Sequence, residues 1–208
     1  MITVPAEAVL PAGRTFSDEF IRLRKLALDW IPQYYDGKHL LRTGDWLLAL
    51  APDAPEPLVI AAVTHDIERA VPGGPILDKQ HTPWDDVAYN TAHCTRSAAV
   101  VATWLFDRGA SESFIRGVQQ PICEHEFGGS PEGDLIQAAD SISFLETNGP
   151  LVVKWIKNGE CSLEKGREKM QWMCDRVRLE RARDAAGAQL AIGMADIEET
   201  LAAWRHLL

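Results

Sequence analysis

Apolar residues recur three and four positions apart through most of this 208-residue chain, and no segment shows the alternation of a half-buried β-strand. The spacing therefore predicts an all-α fold, a compact bundle of several helices. The most constraining segment is residues 58–69, LVIAAVTHDIER, which is apolar almost all round and follows Pro57, a residue suited to the first turn of a helix. A helix of this kind is stable only when other helices surround it, so it is predicted to lie at the centre of the bundle.

Capping residues, glycines and prolines divide the rest of the chain into further predicted helices. The first begins after Thr15 or Ser17. The predicted spans are about 17–33, 37–50, 57–69, 84–107, 111–125 and 134–146, followed by helices over 150–159, 162–190 and 196–208. A loop rich in glycine and proline, residues 70–83, separates the third helix from the fourth. The length fits a single domain over residues 1–208.

Charge and cysteine content limit the classes of function. The formal net charge of −9 argues against a protein that coats nucleic acid or binds an anionic membrane. Pro5 and Pro11 interrupt the N-terminal apolar residues, and no apolar run approaches the roughly 20 residues of a transmembrane helix, so neither a signal peptide nor a membrane span is predicted. The four cysteines form no CxxC pair, which predicts reduced thiols in a cytoplasmic protein.

Five predicted helices each carry a histidine or an aspartate at a position that its apolar neighbours assign to the buried face. These residues are His39, His65, His93, His125 and Asp140. Burying an imidazole or a carboxylate costs several kcal/mol unless the group is paired or coordinated. One buried histidine is usually a hydrogen-bonded core residue. Five such positions in one core favour a shared cation instead.

The order of these residues resembles a known family. The series His39, the doublet His65-Asp66, His93, His125 and Asp140 is similar to the H…HD…H…H…D pattern of the HD-domain superfamily of metal-dependent phosphohydrolases. The segments AAVTHDIER and LIQAADSISFLE resemble the two best-preserved HD segments. The resemblance covers about residues 35–146 as a metal-binding core, and it leaves about 149–208 as a helical C-terminal extension.

The resemblance implies a role for each matched residue. His39, His65, Asp66 and Asp140 would bind a first metal ion, and His93 and His125 a second, with Asp66 bridging the two. Mixed imidazole and carboxylate ligands favour Mn, Fe, Co, Ni or Zn, and either one or two ions. Asp66 and Arg69 would be the catalytic residues, the guanidinium of Arg69 meeting an anionic group of the substrate. The implied reaction is hydrolysis of a phosphate ester of a small metabolite or nucleotide by a metal-activated water.

Other charged residues receive weaker expectations. Arg96 and Lys79 are secondary candidates for the substrate anion, while Glu68 is expected to point away from the site. Glu126 is interpreted as a solvated loop residue, and His81 as an exposed histidine. His206 is expected to be unrelated to the site, and the basic cluster Arg176, Arg178, Arg181 and Arg183 is expected to form a solvated, charge-paired face.

Two alternative functions remain open at this stage. The same ligand pattern serves di-iron oxygenases resembling myo-inositol oxygenase, in which Tyr34 or Tyr35 would gate the site. A non-catalytic HD domain that binds a ligand or partner is the second alternative, although such domains usually lose ligands and all six are present here. The sequence names no substrate beyond a small anionic molecule, and it leaves a homodimer open.

Overall fold

The computed structural model describes residues 10–33 and 36–205, and within these ranges the chain is helical without a β-strand. The predicted all-α class is therefore confirmed. The helices are α1 (Asp18–Trp30), α2 (Gly37–Leu50), α3 (Glu56–Thr64), α4 (Val87–Phe106), α5 (Glu112–Glu124), α6 (Pro131–Thr147), α7 (Gly149–Lys157), α8 (Leu163–Asp175) and α9 (Glu180–Arg205). Short 3₁₀ turns follow α1 at Ile31–Gln33 and α3 at Ile67–Ala70.

Serine side chains begin four of these helices. The hydroxyl oxygens of Ser17, Ser111, Ser130 and Ser162 accept hydrogen bonds from the backbone N–H three residues further on, at the starts of α1, α5, α6 and α8. Each cap satisfies one of the N–H groups that lack a partner in the first turn of a helix. The starts of α1 and α5 lie where the sequence predicts them.

Helix α3 is the buried centre of the bundle, as its composition predicts. Residues 58–64 are all buried, and the helix packs against α1, α2, α5 and α6. Gly44 brings α2 close to α3, because a Cβ atom there would lie only 2.5 Å from Cγ1 of Val63. This contact lies one turn along α2 from His39 and next to the end of α3, so it fixes the distance between two candidate ligands.

Helix α3 is shorter than predicted. It ends at Thr64, and the chain turns through His65 and Asp66 into the 3₁₀ turn rather than continuing as helix to residue 69. The carbonyl oxygen of His65 accepts a hydrogen bond from the hydroxyl of Ser97 on α4, which replaces the helical partner. The turn separates the directions of the two doublet side chains, so they can reach different neighbours.

The predicted division of the C-terminal part is wrong. In place of helices over 162–190 and 196–208, α8 ends at Asp175 and α9 runs without a break from Glu180 to Arg205. The break contains Arg176, whose side chain turns inward to two carboxylates, and Val177, which is buried. No glycine or proline marks this position, so the tertiary contacts of these side chains end the helix.

No helix among the described residues has the length and apolarity that crossing a bilayer requires.

Candidate metal centre

The side chains matched to the HD pattern converge at the centre of the bundle. His39 lies in the first turn of α2, His65 is the C-cap of α3, His93 lies in α4, His125 is the C-cap of α5 and Asp140 lies in α6. All five are buried, and Asp66 follows directly after His65. The structure thus brings together all six residues that the sequence predicts as ligands.

Asp140 joins the first two histidines. Its Oδ1 atom lies 3.1 Å from Nε2 of His39 and 3.3 Å from Nε2 of His65. The three ligand atoms form one compact group that can hold a metal ion.

Asp66 joins the other two histidines. Its Oδ1 atom lies 2.7 Å from Nε2 of His93 and 3.9 Å from Nε2 of His125. Asp66 also forms a second compact group with His65 and His125. Its carboxylate therefore lies between the group around Asp140 and the group around His93.

The four imidazole rings lie in a row. Neighbouring ring centroids are separated by 5.4 Å from His39 to His65, by 5.0 Å from His65 to His125 and by 5.2 Å from His125 to His93. The first two rings of this series approach Asp140, and the last two approach Asp66.

Each of the four rings has a partner for Nδ1 outside the site. The carbonyl oxygens of Ala62 and Ile122 accept from His65 and His125, and the carboxylate of Glu68 lies 2.8 Å from Nδ1 of His93. Nδ1 of His39 donates to Oγ of Ser143. The hydroxyl of Ser143 in turn donates to the main-chain oxygen of His39. With all four Nδ1 positions occupied, the four Nε2 atoms are the ones that could coordinate a metal ion, an arrangement typical of metal-bound histidines.

These distances and orientations fit a divalent cation. Atoms about 2.1 Å from one ion lie about 3.0 Å apart at right angles and about 3.4 Å apart at tetrahedral angles. The separations of 2.7–3.9 Å around Asp66 and Asp140 span these values. The Nε2 atoms of His65 and His125 are also buried without a hydrogen bond of acceptable geometry. Coordination would satisfy both atoms.

Glu126 belongs to the site, contrary to the interpretation of a solvated loop residue. Its side chain is only 8% exposed, and its Oε1 atom lies 3.8 Å from Nε2 of His125. It forms a third group that can hold a metal ion, with His93 and His125. Glu126 follows the C-terminal end of α5, and this end points into the core. The loop sequence FGGSPEG that comes next gives no sign that Glu126 is buried.

Arg176 is also buried, so the expectation of a solvated face is wrong for this member of the basic cluster. Its guanidinium donates to the carboxylates of Glu126 and Asp140, and its Nε donates to Oγ of Ser141 at 2.8 Å. It therefore holds one oxygen of each carboxylate and leaves Oδ1 of Asp140 directed at His39 and His65. Removing one partner of such a buried pair typically costs about 3–5 kcal/mol.

Glu68 supports the site from behind. Although Glu68 is expected to point away from the site, its side chain is buried and lies 2.8 Å from Nδ1 of His93. Arg96, a weak candidate for the substrate, instead donates to Glu68 at 2.9 Å and to the main-chain oxygens of Val71 and Pro72. Arg96 thus links His93 to the loop after α3.

Arg69 lies at the mouth of the site. It donates to Oδ2 of Asp66 at 2.9 Å and to the hydroxyl of Tyr89 at 2.7 Å, and its Nη2 lies 3.2 Å from Nε2 of His93. About a quarter of its side chain, 26%, is exposed, so the guanidinium faces both the carboxylate and the solvent.

A cavity of about 290 Å³ opens over this centre. Its lining includes His39, Asp66, Arg69 and Asp140 from the core, Lys79 from the loop and Lys169 from α8. Lys79 is paired with Glu160 at 2.9 Å, while His81 is exposed as expected and contacts Asp78. Tyr34, Tyr35 and His206 lie outside the described residues.

The charges set the protonation states of the ligands. Burial lowers the pKa of His125 to about 4, which keeps this imidazole neutral. Burial acts in the same direction on His65, but the Asp140 carboxylate outweighs it and raises the pKa of His65 to about 9. Burial opposes ionisation of Asp140 and Asp66, and the cations Arg176 and Arg69 with neighbouring histidines hold their pKa values well below the usual range. Both carboxylates are therefore ionised.

Comparisons with protein-family models, curated proteins and solved structures found no match.

Proposed function

We propose that this protein is a metal-dependent hydrolase of the HD type that cleaves phosphate esters of small molecules. The proposal depends above all on one observation: four buried histidines direct Nε2 toward two aspartates while each Nδ1 meets an acceptor outside the site. An ordinary hydrogen-bonded core histidine needs no such alignment. Four together are the arrangement expected of metal ligands held by outer partners.

The ligand atoms favour two ions. His39, His65 and Asp140 would hold one, and His93 and His125 with Glu126 the other, with Asp66 between them. The nitrogen content favours Mn, Fe, Co, Ni or Zn over Mg, which prefers oxygen ligands and water.

When bound, the metal centre would supply an activated water and neutralise charge on phosphoryl oxygens. The protein's own residues hold the reactants around it. Arg69, fixed by Asp66 and Tyr89, presents a planar guanidinium to the cavity and suits two oxygens of a phosphoryl group. Arg176 keeps Glu126 and Asp140 in place without entering the set of ligands.

The cavity limits the size of the substrate. Its volume of about 290 Å³ lies at the lower end of the range for small-molecule sites. Trp84, Tyr89, Phe144 and Trp155 contribute aromatic walls. These dimensions fit a small phosphorylated metabolite or a mononucleotide rather than a polymer.

The test combines metal analysis with a substrate screen. Freshly purified protein is assayed for bound metal and then for phosphatase and phosphodiesterase activity on a panel of small phosphate esters. We expect transition metal in the protein and hydrolysis that chelation abolishes. Replacing an outer partner of a metal ligand typically lowers metal affinity or activity by about 10- to 100-fold. His125→Ala removes a proposed ligand itself, so it should lower the rate by more than about a hundredfold. His81→Ala, at an exposed histidine, is the matched control.

Two outcomes would contradict the proposal. Protein that takes up no transition metal under any condition would exclude a metal centre. Iron-loaded protein that consumes oxygen with an organic substrate and hydrolyses no phosphate ester would assign it to the di-iron oxygenases instead.

A further inference from the structure

Lys169 of α8 lies in the wall of the cavity and is enclosed by aromatic rings. Its Nζ atom lies 4.2 Å from the ring centroid of Trp172, 5.0 Å from that of Phe144 and 5.3 Å from that of Trp84. Such contacts stabilise a cation through the negative faces of the rings. They supply no oxygen acceptor for its three N–H donors.

The other basic side chains of the cavity differ from Lys169 in this respect. Arg69 is paired with Asp66, Lys79 with Glu160, and Arg176 with Glu126 and Asp140. In the part of the chain that the structure describes, the ammonium group of Lys169 has neither a hydrogen bond nor an ion pair. All three N–H donors of Lys169 are therefore available to a ligand in the cavity.

The surroundings of Lys169 strengthen its attraction for an anion. Burial lowers the pKa of the half-buried Lys169 to about 8, opposed by the fields of Glu126 and Asp140, so the amine is largely protonated at neutral pH. A charge-assisted hydrogen bond is stronger where water is excluded. Bound metal would also offset the negative charge of the aspartates, leaving Lys169 facing a cavity of more positive potential.

We propose that Lys169 is an anion-binding residue of the cavity and contacts an oxygen of the substrate's phosphoryl group. This inference rests on the proposed function and extends it, because it assigns part of the substrate site to the C-terminal helices rather than to the predicted metal-binding core. Arg69 follows α3, whereas Lys169 lies on α8, so two separate parts of the chain would meet the same anion.

The test measures binding of inorganic phosphate to metal-loaded protein by calorimetry. Lys169→Met keeps an unbranched side chain that packs well against aromatic rings but removes the charge. Its affinity for phosphate should fall by about tenfold or more, equivalent to about 1.4 kcal/mol. Lys169→Arg keeps the charge and should restore part of the affinity. Lys165→Met is the matched control, because Lys165 lies 5.8 Å from the same Trp84 ring but is paired with Glu168.

Metal content is measured for every variant and should equal that of the wild type. Titration with acetate at the same concentrations tests whether the site prefers phosphate to a carboxylate. If acetate binds as strongly as phosphate, the assignment to phosphoryl oxygens is overturned. Equal phosphate affinity in Lys169→Met and wild type, or no phosphate binding by metal-loaded wild type, would overturn the proposal. Lys169-dependent phosphate binding without hydrolysis of any ester would support this site while contradicting the proposed function.

Discussion

Glu68 accepts the Nδ1–H of His93 at a distance of 2.8 Å, although the two residues lie 25 positions apart in the sequence. The same carboxylate accepts from Arg96 through its other oxygen at 2.9 Å. This arrangement fixes the ring of His93 and would strengthen metal binding at Nε2 in the proposed centre, because a carboxylate partner increases the basicity of an imidazole.

Replacing Glu68 should therefore weaken metal binding without removing a ligand. Glu68→Ala is expected to lower metal affinity by about 10- to 100-fold, while Glu68→Gln, which keeps a carbonyl acceptor, should lose less. Competition with a chelator at fixed pH measures both. The exposed Glu132→Gln serves as control. Identical affinities for Glu68→Ala and wild type would mean that His93 needs no outer partner or binds no metal.

The sequence predicts the all-α class and several helix starts from local signals, and it places the candidate ligands on buried faces for the same reason. Capping serines and the apolar spacing are local signals, and they place Ser17 and Ser111 at helix starts. A histidine or aspartate within an apolar stripe is likewise visible from its neighbours. This signal predicts His39 and Asp140, and the structure brings them within 3.1 Å of each other.

The supporting residues could not be predicted from local pattern. Arg176 lies in a segment rich in both charges, where a solvated face is the usual outcome. Its inward position depends on Glu126 and Asp140, which belong to distant parts of the chain, and the same contacts accompany the end of α8. One spacing does relate the two basic side chains that the C-terminal part contributes to the cavity: Lys169 and Arg176 lie seven positions apart, about two turns along the same helical face.

Metal binding should depend on pH because a proton competes for His65. The pKa of this imidazole is raised to about 9 by Asp140, which outweighs burial, against about 6.5 in an unfolded chain. The ion pair therefore stabilises metal-free protein fully below about pH 6.5, and this contribution is lost as the pH rises through about 9. Metal affinity should rise over the same interval.

The difference in Tm between metal-loaded and chelated protein should accordingly widen from about pH 6.5 to about 8. The interval ends at about pH 8 because Lys169, with a pKa of about 8, loses its own proton above it. Burial and Arg69 oppose a charge on His93, but Asp66 and Glu68 outweigh them and raise its pKa, so His93 acts in the same direction. Scanning calorimetry measures the difference, and titration in two buffers of unlike ionisation enthalpy measures the protons released. His65→Gln should remove the part of the release that comes from His65. A constant difference in Tm would contradict the competition.

The close contact between α2 and α3 gives a prediction about stability. Gly44→Ala would place a methyl group 2.5 Å from Cγ1 of Val63, between two rigid helices. Overpacking of this kind costs about 1–3 kcal/mol. Each kcal/mol corresponds to a fall in Tm of about 2–4 °C for a chain of this size.

Gly187→Ala is the matched control for this substitution. Gly187 lies in α9 with no neighbouring side chain within 4 Å of the position that a methyl group would occupy, so alanine there should be neutral or stabilising by up to about 1 kcal/mol. Thermal unfolding of both variants in chelator separates packing from metal binding. If Gly44→Ala is as stable as Gly187→Ala, the two helices can move apart without cost.

The position of Asp66 between the two groups of ligands predicts an unequal loss of metal among variants. Its Oδ1 atom lies 2.7 Å from Nε2 of His93, and its carboxylate also groups with His65 and His125. Asp66→Ala should therefore lose most of both ions and all activity. His39→Ala should lose mainly the ion near Asp140, because among the described residues its Nε2 atom pairs with that carboxylate alone, at 3.1 Å.

Metal-to-protein ratios across five alanine variants decide whether the centre holds two ions. In a dinuclear centre, His93→Ala and His125→Ala lose mainly the ion held with Glu126, while His39→Ala and Asp140→Ala lose mainly the other. A mononuclear centre at Asp140 would leave His93→Ala and His125→Ala with full metal content and altered substrate binding alone. Circular dichroism shows whether each variant remains folded, so that metal loss reports on the ligand. Wild-type metal content in Asp66→Ala and in all four histidine and aspartate variants would mean that these residues do not form a metal site.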